Sequence, residues 1–244
     1  MIVMSIAGVD PSAGAGVFAD LKTFQAIGVY GTGIITALTA QNPYEFFSIQ
    51  PVSEEYIEEE IDSVMDAYKV EFIKTGMLYS SEIIKLIANK VKKYKLKAVV
   101  DPVMVATSGG DLTREDLADA LNKYLLPKAI LTTPNISEAE KLTDIKINSK
   151  EDAIKASKLI KSNNIITGGH LDGINTINID GEISTVKQEL IKTDNLHGTG
   201  CNLSAAITAY LAKNNDLNTS ILKSLDYVYR GIKNGKYGTL IAEL

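Results

Sequence analysis

The 244-residue sequence predicts an α/β fold, a three-layer α/β/α sandwich around a mostly parallel central sheet with a small antiparallel edge. Three observations carry that expectation. Short apolar runs rich in β-branched residues alternate with stretches of helical periodicity, the pattern of successive βαβ units. Hydrophobic residues make up 45% of the chain, enough for a full core, and no Pro/Gly/Ser-rich linker or shift of composition divides it. Residues 1–244 therefore read as a single domain. Finally, Thr176-Ile177-Asn178-Ile179 and Ile183-Ser184-Thr185-Val186 flank Asp180-Gly181, the signature of a hairpin with a type I′ turn, which supplies the antiparallel edge.

Taken in order, the apolar runs at residues 2–6, 33–38, 70–75, 97–101, 129–132 and 165–167 predict parallel strands. Helical periodicity predicts helices over 15–26, 53–68, 80–94, 113–125, 151–161, 199–213 and 217–234. The segment 53–68 shows the logic. Ile57, Ile61, Val64, Met65 and Tyr68 fall on one face, while Glu54, Glu55, Glu58, Glu59 and Glu60 lie largely elsewhere and read as a solvated surface. The basic run Lys90-Val91-Lys92-Lys93-Tyr94-Lys95 closes an amphipathic stretch, where cations complement a helix C-terminus.

A net charge of −5 without a basic stripe gives no electrostatic footprint for nucleic acid or an anionic membrane. The single cysteine forms no internal disulfide. There is no basic leader followed by an apolar run, and no stretch of about 18 apolar residues, so the chain reads as cytoplasmic and concerned with small molecules.

That cysteine stands in the most informative segment, His197-Gly198-Thr199-Gly200-Cys201-Asn202-Leu203-Ser204. The segment reads as a glycine loop closing into a helix N-terminus, with Cys201 in the first turn. Free N–H groups at a helix start form an anion site, and glycine lets a phosphate approach. The same field would lower the thiol from about 8.5 toward about 3.5–7.5, making Cys201 a base or nucleophile. Against this stands the commoner role of a lone cysteine as inert packing, which the Gly-Thr-Gly setting makes the weaker alternative here.

A second glycine loop, Gly14-Ala15-Gly16-Val17-Phe18-Ala19, matches a permissive dinucleotide fingerprint but fails two requirements of one. Seven residues separate it from its strand, and the next strand ends in Ala40-Gln41-Asn42, without an acidic ribose ligand. Further polar candidates, Gln41, Asn42, Met77 after Thr75-Gly76, Asp101, Asn135 and His170, fall at the carboxyl ends of strands, where open α/β sheets bind ligands. In Thr133-Pro134-Asn135-Ile136-Ser137-Glu138 the spacing of Asn135 and Glu138 suits a helix capping pair and, equally, a hydrated Mg²⁺ on nucleotide phosphates.

In combination, the segments 7–16, 19–23 (Ala-Asp-Leu-Lys-Thr), 36–42, 74–78 (Lys-Thr-Gly-Met-Leu), 101–109 (Asp-Pro-Val-Met-Val-Ala-Thr-Ser-Gly), 133–139 and 197–201 resemble the hydroxymethylpyrimidine/phosphomethylpyrimidine kinases of thiamine biosynthesis, of the ribokinase-like superfamily. The resemblance implies transfer of the ATP γ-phosphoryl group to 4-amino-5-hydroxymethyl-2-methylpyrimidine, then to its monophosphate. It makes Cys201 the base, in place of the aspartate of the sugar kinases, with Gly198, Thr199 and Gly200 stabilising charge on the transferred group. Gln41 and Ala15 would hold the aminopyrimidine, Met77 and Val103 would pack on it, and Asp20 would support the substrate loop. Asn135, Thr167, Gly169 and His197 would bind nucleotide, and Glu138 and Asp101 would serve Mg²⁺ through water. A homodimer is implied as well.

The chain departs from the family at Thr167-Gly168-Gly169-His170, where the usual first residue is lysine, and at Leu196, where threonine is usual. Threonine donates one hydrogen bond but neutralises no charge, so phosphate binding and the second phosphorylation are expected to be weaker. The rival readings are a pyridoxal or pyridoxine kinase of the same superfamily and a non-catalytic pyrimidine or nucleotide sensor.

Overall fold

The computed structural model describes residues 1–104 and 117–241. The strands are β1 (Ile2–Val9), β2 (Tyr30–Gln41), β3 (Phe46–Pro51), β4 (Phe72–Thr75), β5 (Lys97–Val100), β6 (Ala129–Thr132), β7 (Asn164–Ile166), β8 (Ile174–Ile179) and β9 (Glu182–Lys187). They form one sheet in the order β3-β2-β1-β4-β5-β6-β7-β8-β9. The five pairings from β2 to β7 are parallel, while β3, β8 and β9 join antiparallel. The predicted mixed sheet is thus present. Asp180 and Gly181 both take positive φ, 53° and 88°, as the type I′ turn requires.

Alternation along the central strands sends neighbours to opposite faces. Met4 and Ile6, Ala98 and Val100, and Ile166 join one core with α2 (Glu54–Ala67), α3 (Ser81–Tyr94), α4 (Leu117–Ala120), α5 (Ile136–Thr143) and α6 (Lys150–Leu159). Val3, Val99, Leu131 and Ile165 join the other with α1 (Gly16–Ile27), α7 (Thr199–Ala212) and α8 (Leu217–Lys233). These are the three layers the alternation predicts. Among the described residues no helix is long and apolar enough to cross a membrane.

Three details differ from expectation. The second strand reaches Gln41 and turns through 42–45 into β3, an antiparallel edge the sequence did not announce. Phe46-Phe47-Ser48-Ile49-Gln50-Pro51 ends in proline, which only an edge strand tolerates. The helix expected over 113–125 begins, in its described part, at Leu117, and its last turn, Leu121–Leu125, widens to a π turn. Residues 113–116 lie outside the described residues, as do 105–109 of the resemblance.

Chain order places the switch in connection direction between β1 and β4, since β2 lies to one side of β1 and β4 to the other. Such a switch opens a crevice at the carboxyl ends of the strands. The loops entering it follow β1, β4, β5 and β6.

Candidate active site

Two helix starts meet at this crevice. After β1 the chain turns through Asp10, whose carboxylate accepts from the Ser12 amide (2.9 Å), the Ser12 hydroxyl (2.8 Å) and the Ala15 amide (2.9 Å). Those bonds hold Ala13 in the left-handed region (φ 57°), and Gly16 follows at φ 61°. A Cβ on Gly16 would collide with the Gly8 carbonyl oxygen, so only glycine fits where α1 begins.

The second start is that of α7. Its N-cap, Gly198, sits at φ 80°, and a Cβ there would run into the Gly14 carbonyl oxygen and crowd Ala15 Cα (3.3 Å). The two glycine loops therefore touch backbone to backbone. Thr23 on α1 donates to Asn202 Oδ1 (2.7 Å), and Asn202 Nδ2 donates to the Gly198 carbonyl (2.8 Å), clamping the helices near their starts. Cys201 lies in the first turn of α7, as predicted, half-buried, with the exposed Gly200 beside it. Asp101 Oδ2 lies 3.9 Å from where a Cβ on Gly200 would be, so the carboxylate stands close under this helix start.

Beneath the thiol lies a group of buried charges. Asp20 is fully buried, accepts from Ser5 Oγ (2.5 Å), and takes Lys74 Nζ at 2.9 Å on both oxygens. No ligand reaches it, so it can act on the substrate loop only from behind; its partner is Lys74. Burial alone would lower Lys74, but Asp20, with Cys201 and Asp101 nearby, holds it above the usual lysine value and charged. Asp101, just past β5, is pushed up to about 6 by burial; Lys74 offsets this, Asp20 adds to it, and Ser204 and the Cys201 thiol donate to the carboxylate.

This surrounding reverses the expectation for the thiol. Burial pushes Cys201 up to about 12, with Lys74 pulling it down, Asp101 and Asp20 pushing it further up, and the Gly16 amide donating to sulfur. Desolvation and two carboxylates outweigh the lowering influences of Lys74 and the Gly16 amide. The thiol keeps its proton at neutral pH.

Past β6, Asn135 and Glu138 form a full capping box: Glu138 N–H donates to Asn135 Oδ1 and Asn135 N–H to Glu138 Oε2, both at 2.9 Å. The capping alternative is thereby realised. Glu138 is also buried and raised to about 8, by desolvation first and then by the charge of Asp101, more than its bonds from the Asn135 and Met104 amides offset. Thr167 lies beside Asn135 in a parallel bridge, its N–H donating to the Pro134 carbonyl (3.0 Å). Gly169 and His170 are exposed just beyond. His197, expected to contact nucleotide, is instead buried, with Nε2 donating to Asp10 (2.7 Å); it supports the loop from behind.

The opposite wall is apolar. Met77 packs with Ala37, Phe46, Ile49, Tyr79 and Val103, apart from the two main cores. Thr36 Oγ1 donates to the Met77 carbonyl (2.6 Å), and Gly8 gives the Met77 methyl its space. Gln41 stands part-exposed at the end of β2, opposite Phe46, while Asn42 closes the turn by accepting from the Tyr44 and Glu45 amides. Ala15, Gly198, Cys201, Asp101 and Glu138 gather at one rim, with Met77 and Val103 beside it. Sequence reasoning missed Asp10 and Ser204 as buried supports of this rim, and offered Lys74 as a cation to stand in for the missing phosphate lysine, whereas it is buried against Asp20. An aspartate ahead of a proline and two glycines, and a lysine inside an otherwise apolar strand, were the available signals.

The profile of the family described as Phosphomethylpyrimidine kinase matches residues 10–240. The chain belongs to this family. A relative from Rhizobium meliloti (strain 1021), named hydroxymethylpyrimidine/phosphomethylpyrimidine kinase, is 41% identical over 239 residues, covering 95% of this chain and 90% of the relative. Two solved structures are similar throughout. The phosphomethylpyrimidine kinase of Clostridium difficile 630 superposes with a TM-score of 0.82 at 37% identity, covering 94% of this chain and 98% of that one. A Bacillus subtilis pyridoxal kinase, solved as an ADP complex, gives 0.91 at 32% identity, covering 99% and 96%. The fold is that of these kinases.

Proposed function

We propose that this chain is an ATP-dependent kinase of thiamine biosynthesis that phosphorylates 4-amino-5-hydroxymethyl-2-methylpyrimidine and then its monophosphate. The observation that carries this reading is the meeting of two glycine-lined helix starts over a thiol bonded to a buried carboxylate, in a chain of this family. One helix start serves the alcohol, the other the transferred phosphoryl group. Residues 1–244 act as one kinase domain, supported by a single continuous sheet and by a family match reaching residue 240.

The pyrimidine ring lies on Met77 and Val103, and the Gln41 amide, with one acceptor and two donors, pairs with a ring nitrogen and the exocyclic amine. The hydroxyl attacks the γ-phosphorus in line, forming the new O–P bond as the bond to the ADP oxygen breaks. Its proton passes to Cys201 Sγ while the thiol's own proton passes to Asp101, which is ionised above about pH 6. No free thiolate is needed, consistent with a thiol near 12. The amides of residues 198–201 stabilise charge on the phosphoryl oxygens. Asn135, Thr167 and Gly169 hold the nucleotide.

Glu138 and Asp101 are buried carboxylates that repel one another, a hard-oxygen pair that fits hydrated Mg²⁺. When bound, the ion neutralises phosphate charge that Thr167 leaves uncompensated.

The protein works in the cytoplasm as a homodimer. The edge position of β3 and the exposed Leu38, Tyr44 and Phe47 around that hairpin support the pairing. A second reading, pyridoxal phosphorylation, is favoured by the likeness to the Bacillus subtilis pyridoxal kinase. Cys201→Ser separates catalysis from binding. Turnover is expected to fall at least about 10²-fold while calorimetric affinity for the pyrimidine and for ATP is retained; equal loss of both would remove the role given to the thiol.

A further inference from the structure

Asp10 belongs to neither wall of the crevice, yet its carboxylate joins them. One oxygen accepts from the Ser12 amide and hydroxyl. The other accepts from the Ala15 amide at 2.9 Å and from His197 Nε2, 187 residues away, at 2.7 Å. His197 is in turn fixed by the C-terminal strap: its N–H donates to the Gly238 carbonyl (3.2 Å), and Thr239 Oγ1 donates to its carbonyl (3.0 Å). Its ring lies so close over Gly14 that a Cβ there would come within 2.6 Å of Cδ2. Gly198, the next residue, packs on the Gly14 carbonyl.

The carboxylate is almost fully buried, so no ligand reaches it, and a buried carboxylate is a poor space filler unless its lone pairs are used. Burial would raise Asp10, but the bonds from His197 and Ser12 hold it below the usual carboxylate value and ionised. Charge-assisted bonds of this kind are short and directional. Here they cross between the loop that ends in Ala15 and the loop that ends in Gly198.

We infer that Asp10 is a positioning residue for phosphoryl transfer: by bonding the Ala15 amide and the His197 ring together, it fixes the alcohol-side loop against the anion-binding start of α7. The inference rests on the kinase reading for its effect on rate, though not for its effect on the two loops. Asp10→Asn keeps the shape but removes the charge and, whichever way its amide is turned, sets an N–H against an obligate backbone donor, the Ser12 or the Ala15 amide.

The experiment compares Asp10→Asn, His197→Ala, His197→Gln and the double variant Asp10→Asn/His197→Ala. It measures steady-state kinetics with the hydroxymethylpyrimidine and amide hydrogen exchange over residues 12–16 and 198–201. The expected result is a kcat lower by about 10²-fold in Asp10→Asn, with much smaller changes in both KM values. His197→Ala should match it, and His197→Gln, whose amide still donates to Asp10, should recover most of the rate. The double variant should be no worse than either single one. Exchange should quicken at both loops together in Asp10→Asn.

Wild-type kcat in Asp10→Asn, multiplying losses in the double variant, no rescue by His197→Gln, or faster exchange at one loop alone would overturn the inference. If Asp10→Asn does not fold, the His197 pair carries the same comparison. Absence of wild-type turnover on every alcohol would sink the kinase reading instead, leaving the exchange data to decide whether Asp10 couples the loops.

Discussion

At neutral pH the Cys201 thiol is held protonated first by its burial and then by the carboxylates of Asp101 and Asp20, and it donates to Asp101, so the helix start alone does not set its state. Glu138 tells the same story from the acid side. Its folded-state value is near 8 against an ordinary 4.5, so the folded protein holds an extra proton between those limits. The stability this contributes is complete below about pH 4.5 and is lost as pH rises toward about 8. Glu138→Gln keeps an oxygen to cap Asn135 and carries no charge. It should therefore exceed the wild type in stability at pH 8 and converge with it near pH 4.5, while losing turnover. Chemical denaturation at the two pH values checks this; equal stabilities at pH 8 would mean that the carboxylate is solvated. The motif letters at residues 133–138 and 197–201 were legible in the sequence, but the sign of the thiol shift was not. It depends on Asp101 and Asp20, which arrive from 100 and 181 positions earlier in the chain.

At the scale of elements, α1 and β4 are joined by the fully buried pair Asp20–Lys74. Breaking such a pair leaves one charge stranded, whereas replacing both members by apolar groups need not destabilise. Lys74→Met should cost about 3 kcal/mol, and Asp20→Leu/Lys74→Met should recover most of it in urea unfolding; additive losses would show that the pair is not the interaction that matters. Periodicity disclosed most elements because one face of each is apolar, as in α3, where Ile83, Ile84, Ile87 and Val91 are buried. It failed at β3, since an edge strand with Phe46, Phe47 and Ile49 close together has neither strict alternation nor a helical stripe. It also stopped short on β2, whose last residues, Thr39-Ala40-Gln41, are read as strand only once a partner lies beside them. Asn135 and Glu138 were even between two roles in the sequence; the capping box shows that the local role is met without excluding the other.

For the whole molecule, the sheet order explains why residues from every part of the chain converge, since the loops after β1, β4, β5 and β6 all open at one rim and α7 covers it. If the β3 edge is the dimer contact, Phe47→Glu should convert a dimer to a monomer in sedimentation velocity without loss of the fold; an unchanged dimer would move the interface elsewhere. The central claim concerns what the crevice phosphorylates. The most direct test is ADP release from Mg-ATP by the purified protein, offered in parallel the hydroxymethylpyrimidine, its monophosphate, pyridoxal, pyridoxine and ribose. Turnover on the hydroxymethylpyrimidine, with slower turnover on its monophosphate because Thr167 brings no charge, is the predicted result. Turnover confined to pyridoxal or pyridoxine, or absent with every acceptor, would contradict it.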